Sequence, residues 1–143
     1  MQNTPSKFSP EKWCILIPAR LGSTRLPNKP ILDYKGKPLV IQTANVGMRI
    51  KKDHSEIEVA VVTDSKEIVE VCSKFDIKCI ETTGNFPSGS DRVFSAAKML
   101  KRPFIINLQC DEPDLDSIEL IKLMNRLEFE ERLDICTLSL IHI

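Results

Sequence analysis

The chain lacks an excess charge of either sign. Its 143 residues hold 20 Lys+Arg against 20 Asp+Glu, and the pI is near 6.7. A general nucleic-acid binder would show a basic surplus, so that class is disfavoured. No apolar run approaches the roughly 20 residues of a membrane-spanning helix. The opening stretch, residues 1–12, has no apolar centre that could serve as a secretory signal, and it reads as a polar extension ahead of one domain over residues 13–143. No Cys-x-x-Cys pair occurs. Cys14, Cys72, Cys79, Cys110 and Cys136 are odd in number and mostly lie among aliphatic residues. That pattern speaks against a zinc cluster or disulfide framework, and for buried thiols in a reduced, cytoplasmic protein. Internal repeats, low-complexity tracts and an interior linker are also missing. So are the G-x-x-x-x-G-K-[ST] and G-x-G-x-x-G phosphate signatures, which weighs against Walker-type ATPases and dinucleotide binders.

What remains is an alternation of short apolar runs and amphipathic segments. Residues 13–17, 59–62, 104–108 and 135–141 are continuous runs rich in β-formers, and 77–80 is a weaker one. Continuous rather than alternating apolar strands belong in a parallel sheet covered on both faces. Helical spacing joins Ile68, Val71, Cys72 and Phe75, then Val93, Ala96, Ala97 and Leu100, then Leu120, Ile121, Met124 and Leu127. Asp116 and Glu119 form a candidate capping pair for the last of these. Residues 39–50 form a weaker helix candidate because Gly47 interrupts them. The alternation predicts a three-layer α/β domain with a mostly parallel sheet. The final residues, 138–143, form an apolar strand with no cap or polar tail. From that we expect a missing C-terminal part, since domains usually finish on polar residues.

Three segments carry chemistry. The first follows the first strand and runs Pro18-Ala19-Arg20-Leu21-Gly22-Ser23-Thr24-Arg25-Leu26-Pro27-Asn28-Lys29-Pro30. Open α/β sheets bind ligands beyond the carboxyl ends of their strands. Arg20, Arg25 and Lys29 supply three cations with no intervening acid, Ser23 and Thr24 add hydroxyls, and the prolines stiffen the loop. Guanidinium forks and a mobile ammonium suit a triphosphate. A merely solvated basic loop remains the competing reading. The second segment, Asn107-Leu108-Gln109-Cys110-Asp111-Glu112-Pro113, ends another strand. Asp111, the first acid past it, is placed to hold Mg²⁺, which takes one or two protein carboxylates and completes its shell with phosphate oxygens and water. Asp114 and Asp116 read instead as caps of the next helix. The third segment, from Asn85 to Arg92, opens a helix. Ser88 and Ser90 could cap it or, with Gly89, offer backbone amides to a ligand. Arg92 lies in the first turn, where the helix dipole disfavours a cation and so points to an anionic partner, unless Asp91 supplies it. His54 and His142 receive no role.

Taken in order, Ile-Pro-Ala-Arg-Leu-Gly-Ser-Thr-Arg-Leu-Pro-Asn-Lys-Pro, Ser-Gly-Ser-Asp-Arg and Gln-Cys-Asp-Glu-Pro resemble the 3-deoxy-manno-octulosonate cytidylyltransferases, or CMP-Kdo synthetases. The resemblance runs from Trp13 to the last residue, and its first motif is highly specific. It implies a nucleotide-diphosphosugar-transferase-like fold and a homodimer. It also implies the use of CTP, Mg²⁺ and the sugar acid Kdo to make CMP-Kdo and pyrophosphate for lipopolysaccharide. By motif, Arg20 and Lys29 would grip the CTP phosphates, with Arg25, Ser23, Thr24, Pro18 and Ala19 beside them. Ser88, Gly89 and Arg92 would lie near the nucleotide, Gln109 near nucleotide and sugar acid, and Asp111 on the metal. The chain departs from the commoner pattern at Asp91, where Glu is more frequent, and at Cys110, where Gly is. Family members also continue well past this length. Three other readings stand beside it: a cytidylyltransferase for another sugar acid such as sialic acid, a nucleotide-binding module without turnover, and a folding-incompetent fragment whose apolar strand end promotes association.

Overall fold

The structure is a computed structural model that describes residues 8–22, 27–84, 89–129 and 136–137. Strand β1 (Trp13–Pro18) leads to a two-stranded antiparallel hairpin, β2 (Asp33–Tyr34) and β3 (Lys37–Pro38). Then follow α1 (Leu39–Asp53), β4 (Glu58–Thr63), α2 (Lys66–Lys74), β5 (Cys79–Glu81), α3 (Gly89–Leu100), β6 (Phe104–Asn107), α4 (Ser117–Glu128) and β7 (Cys136–Thr137). The main sheet has the order β5-β4-β1-β6-β7, and every pairing in it is parallel. All four helical expectations and the predicted strands are present. Of the expected terminal strand 135–141, only Cys136–Thr137 falls within the described residues.

The continuous apolar strands exist because both faces of the sheet are covered. Trp13, Ile15 and Ile17 of β1, with Val59, Val61 and Ile106, pack beneath α1, α2 and α4. The alternate residues Cys14 and Leu16, with Ala60, Val62 and Ile80, pack against Val93, Ala96 and Ala97 of α3. The result is the predicted three-layer arrangement.

Gly47 belongs to this packing and does not break α1. A β-carbon there would lie 2.9 Å from Val59 Cγ1 and 3.3 Å from Ile15 Cγ2, so its absence lets the helix settle onto the sheet. The sequence pattern undervalued α1 because glycine is a poor helix former in isolation, whereas here close packing outweighs propensity. The hairpin was not anticipated at all. Its turn places Lys35 at φ 53° and Gly36 at φ 97°, the left-handed pair that a two-residue hairpin turn requires.

The lower rim of the sheet, at the amino end of β1, is sealed by the start of the chain. Phe8 is buried, with its ring 4.8 Å from that of His54. Glu128 accepts three hydrogen bonds of 2.7 Å, from Ser9 N, Ser9 Oγ and Trp13 Nε1. Partial burial alone would raise the Glu128 carboxyl. The hydrogen bonds from Ser9 and Trp13, with Lys12 nearby, outweigh it and hold the carboxyl below the ordinary glutamate range. Arg102 closes the same rim by donating to the carbonyl oxygens of Glu11 and Glu56 at 2.6 and 2.9 Å. Cys14, Cys72, Cys79 and Cys110 are free thiols, and burial pushes Cys14 up to about 12, in keeping with an inert core residue.

Two measurements check this packing. Gly47→Ala gains up to about 1 kcal/mol in helix propensity but overpacks a β-branched contact, at a cost of roughly 1–3 kcal/mol, so urea unfolding should show a net loss of stability. Glu128 has a lowered folded-state pKa, so its contribution is complete above the unfolded glutamate pKa and is lost as pH falls through the folded value. The stability gap between the parent chain and Glu128→Gln should therefore be full at neutral pH and shrink steadily under acid, as followed by thermal unfolding at stepped pH.

Candidate functional site

The candidate site is built where β1 and β6 end. These strands are neighbours, with Leu16 opposite Asn107, and Leu108 N extends the ladder by donating to Leu16 O at 2.9 Å. Two parallel neighbours finish on the same rim, so the loops that follow them must share one crevice. Ala19 is buried and held from the other side, its N donating to Val62 O at 3.0 Å. Arg20 then emerges exposed, with Nη2 3.7 Å from the point a β-carbon on Gly22 would occupy. Among the described residues, its chain neighbours aside, no other atom lies within 4 Å of that point.

Lys29 returns to this crevice through a single 3-10 turn. Asn28, at φ 65°, starts that turn, and Asn28 N is tied to Leu21 O at 3.2 Å. Lys29 Nζ stands 3.6 Å from Asp111 Oδ2, and the two side chains are 42% and 57% exposed. The predicted cation and the predicted metal carboxylate thus meet across the crevice. Both are half in solvent, so their attraction alone contributes about 0–1 kcal/mol. Cys110 lies next to Asp111, and burial first and the Asp111 charge second push its thiol up to about 12, which disfavours the thiolate.

The remaining predicted residues fall into three groups. Pro18 ends β1, Gly89 begins α3, and Gln109 lies just beyond β6, half-buried. Ser23, Thr24, Arg25 and Ser88 lie outside the described residues. Arg92 is present but turned inward: it is 6% exposed, and donates to Thr82 Oγ1 at 2.6 Å and to Asp64 Oδ2 at 3.5 Å. The anion expected of its helix position is supplied, at least in part, by Asp64 of this same chain. A guanidinium buried this deeply requires fixed acceptors, and local sequence could not show that the tips of β4 and β5 would provide them.

Asp114 also differs from expectation. It does not cap α4; it accepts from the Tyr34 hydroxyl and, at 3.3 Å, from Lys35 Nζ. Those hydrogen bonds, Tyr34 first, hold its carboxyl below the ordinary range. Asp116 alone makes the cap, accepting from Ile118 N at 2.9 Å, while Glu119 pairs with Lys122 at 3.4 Å. Asp114 therefore latches the β2–β3 hairpin to the loop carrying Asp111. Gln42 Nε2 holds the hairpin's other side by donating to Tyr34 O at 2.8 Å.

Thr43 is a residue that sequence reasoning passed over. It is fully buried on α1 and its hydroxyl donates to Cys110 O at 2.5 Å, fixing the backbone one residue before Asp111. Its only sequence signal was a hydroxyl on the apolar face of a helix. Thr43→Val keeps the volume but leaves that carbonyl without its donor. It should cost about 1–3 kcal/mol in urea unfolding, whereas Asp111→Asn, at an exposed pair, should change stability by less than about 1 kcal/mol.

With this geometry described, the chain can be set beside known proteins. The 3-deoxy-manno-octulosonate cytidylyltransferase of Polynucleobacter necessarius subsp. necessarius is 45% identical over 104 residues, which cover 71% of this chain and 39% of that protein. The protein of the same name from Brucella ovis is 37% identical over 132 residues, covering 90% and 51%. Among solved structures, CMP:2-keto-3-deoxy-manno-octonic acid synthetase complexed with CTP superposes with a TM-score of 0.77 at 32% identity, covering 85% of this chain and 49% of that one. The chain spans about half or less of the length of these relatives. The family model for cytidylyltransferases matches residues 14–139, the stretch that carries both strand tips and the Lys29–Asp111 pair, and this chain belongs to the cytidylyltransferase family.

Proposed function

We propose that the crevice binds the triphosphate of CTP, and that the protein of which this chain represents the nucleotide-binding part transfers CMP to 3-deoxy-manno-octulosonate, releasing pyrophosphate. One observation carries the reading: Lys29 Nζ and Asp111 Oδ2 stand 3.6 Å apart beyond the neighbouring ends of β1 and β6, both half-exposed. A cation and a carboxylate that stabilise the fold so little, placed where open α/β sheets bind ligands, fit a polyphosphate and its counter-ion. The named relatives support cytidine as the nucleoside and this sugar acid as the acceptor.

Among the described residues no three His, Cys, Asp or Glu side chains converge on a metal site. A lone exposed carboxylate suits magnesium, which draws the rest of its shell from phosphate and water. Asp111 would hold Mg²⁺, which when bound supplies charge neutralisation at the triphosphate. In the reaction the anomeric hydroxyl oxygen of the sugar acid bonds to the α-phosphorus, the bond from that phosphorus to the bridging oxygen breaks, and the hydroxyl proton passes to solvent. No protein nucleophile is needed. Arg20 and Lys29 neutralise charge on the phosphates, and the loops align attacking and leaving oxygens. The same reading carries a homodimeric assembly and a cytoplasmic location. Among the described residues no helix is long and apolar enough to cross a membrane.

Titration calorimetry with CTP and Mg²⁺ tests the binding half of this reading. Saturable binding that weakens on the order of 10- to 100-fold in Lys29→Ala, the scale of one charge-assisted contact, is the expected outcome; unchanged affinity would remove Lys29 from the site. Pyrophosphate release with the sugar acid tests turnover. CTP binding without release would identify a nucleotide-binding module. In a full-length enzyme, Arg20→Ala should cost on the order of 10²-fold in rate.

A further inference from the structure

The apolar run of β6 is broken by one amide. Asn107 is 4% exposed, on a strand paired on both sides, and its neighbours Ile106 and Leu108 are fully buried. A buried amide left without partners costs free energy, so its presence here calls for a reason. Its two ends have different partners. Nδ2 donates to Ser90 Oγ at 3.1 Å, and Oδ1 accepts from Gln109 Nε2 at 3.2 Å. Ser90 lies in the first turn of α3, and Gln109 two residues past Asn107 on the loop toward Asp111. Asn107 thus joins the helix start to the strand tip through one rigid group.

The consequence falls on Gln109. A glutamine amide free to turn offers a ligand either its NH₂ or its oxygen. With Nε2 held by Asn107 the amide can no longer turn end for end, so its acceptor oxygen keeps a fixed place beside the strand tip. We propose that Asn107 is a positioning residue, which by holding Gln109 Nε2 presents Gln109 Oε1 as a fixed acceptor to an N–H or O–H donor of the bound nucleotide. This rests on the nucleotide reading of the crevice given above. Ser90 completes the relay by fixing the far end of Asn107, so the start of α3 is coupled to the strand tip through an amide.

A double-mutant cycle read by calorimetry with CTP and Mg²⁺ separates this from a purely structural role. Asn107→Leu is expected to weaken CTP roughly tenfold, the scale of one net hydrogen bond, and to add nothing in a Gln109→Leu background. Losses that add in the double variant would overturn the relay while leaving the nucleotide reading intact. Ser90→Ala, which leaves both amides in place, should give a smaller loss in the same direction, and it serves if Asn107→Leu does not fold. The side-chain amide resonance of Gln109 provides a readout independent of nucleotide. It should move in Asn107→Leu, and an unmoved resonance overturns the proposal even if CTP fails to bind the parent chain, a failure that would by itself sink the nucleotide reading.

Discussion

The parallel pairing of β1 with β6 is the constraint from which the rest follows. It sets Leu16 opposite Asn107 and makes both strands end on one rim. Each loop leaving that rim has nowhere to go but beside the other. Residues 82 positions apart in sequence, Lys29 and Asp111, meet for that reason. Antiparallel pairing would send the same two loops to opposite ends and separate the charges by the length of the strands. The glycine at 47 serves this pairing indirectly, because α1 can lie close enough to cover the sheet only where no β-carbon intervenes.

The two rims are specialised in different ways. Among the described residues the buried polar side chains are Thr43, Thr63, Thr82, Arg92 and Asn107. Each stands at a strand tip, in the first turn of α3, or, for Thr43, against the loop that follows β6. Burying such groups costs free energy unless every donor and acceptor is matched, and among the described residues Cys110, Asp64, Ser90 and Gln109 supply matches at the rim where β1 and β6 end. The lower rim is held by Glu128, Arg102 and the Phe8–His54–Trp13 cluster, which fasten the chain start and the carbonyl ends of nearby segments.

Much of the fold was legible. Apolar runs announced β1, β4 and β6 because strands covered on both faces need no polar alternation, and helical spacing announced α2, α3 and α4. The hairpin at Asp33–Pro38 was not legible, since two-residue strands carry no periodicity, and only the Lys35-Gly36 turn hints at it. Asp114 resembled a helix cap in sequence because acids cluster before helices. Its real partners, Tyr34 and Lys35, lie some eighty residues earlier, and no local pattern records such a contact. Arg92 stood out as a cation at a helix start, but Asp64 and Thr82 come to it from just beyond the ends of β4 and β5.

By itself the sequence determined which residues carry charge, where the loops must stiffen, and that the strands are buried on both sides, because composition, proline placement and periodicity are local properties of a chain. It also supplied the motifs that carry the family resemblance. Only the tertiary structure decided which charges face each other, which amide fixes which, and which acid caps a helix and which latches a hairpin. Those depend on strand order, and strand order is settled by the packing of the whole sheet, which no single segment contains.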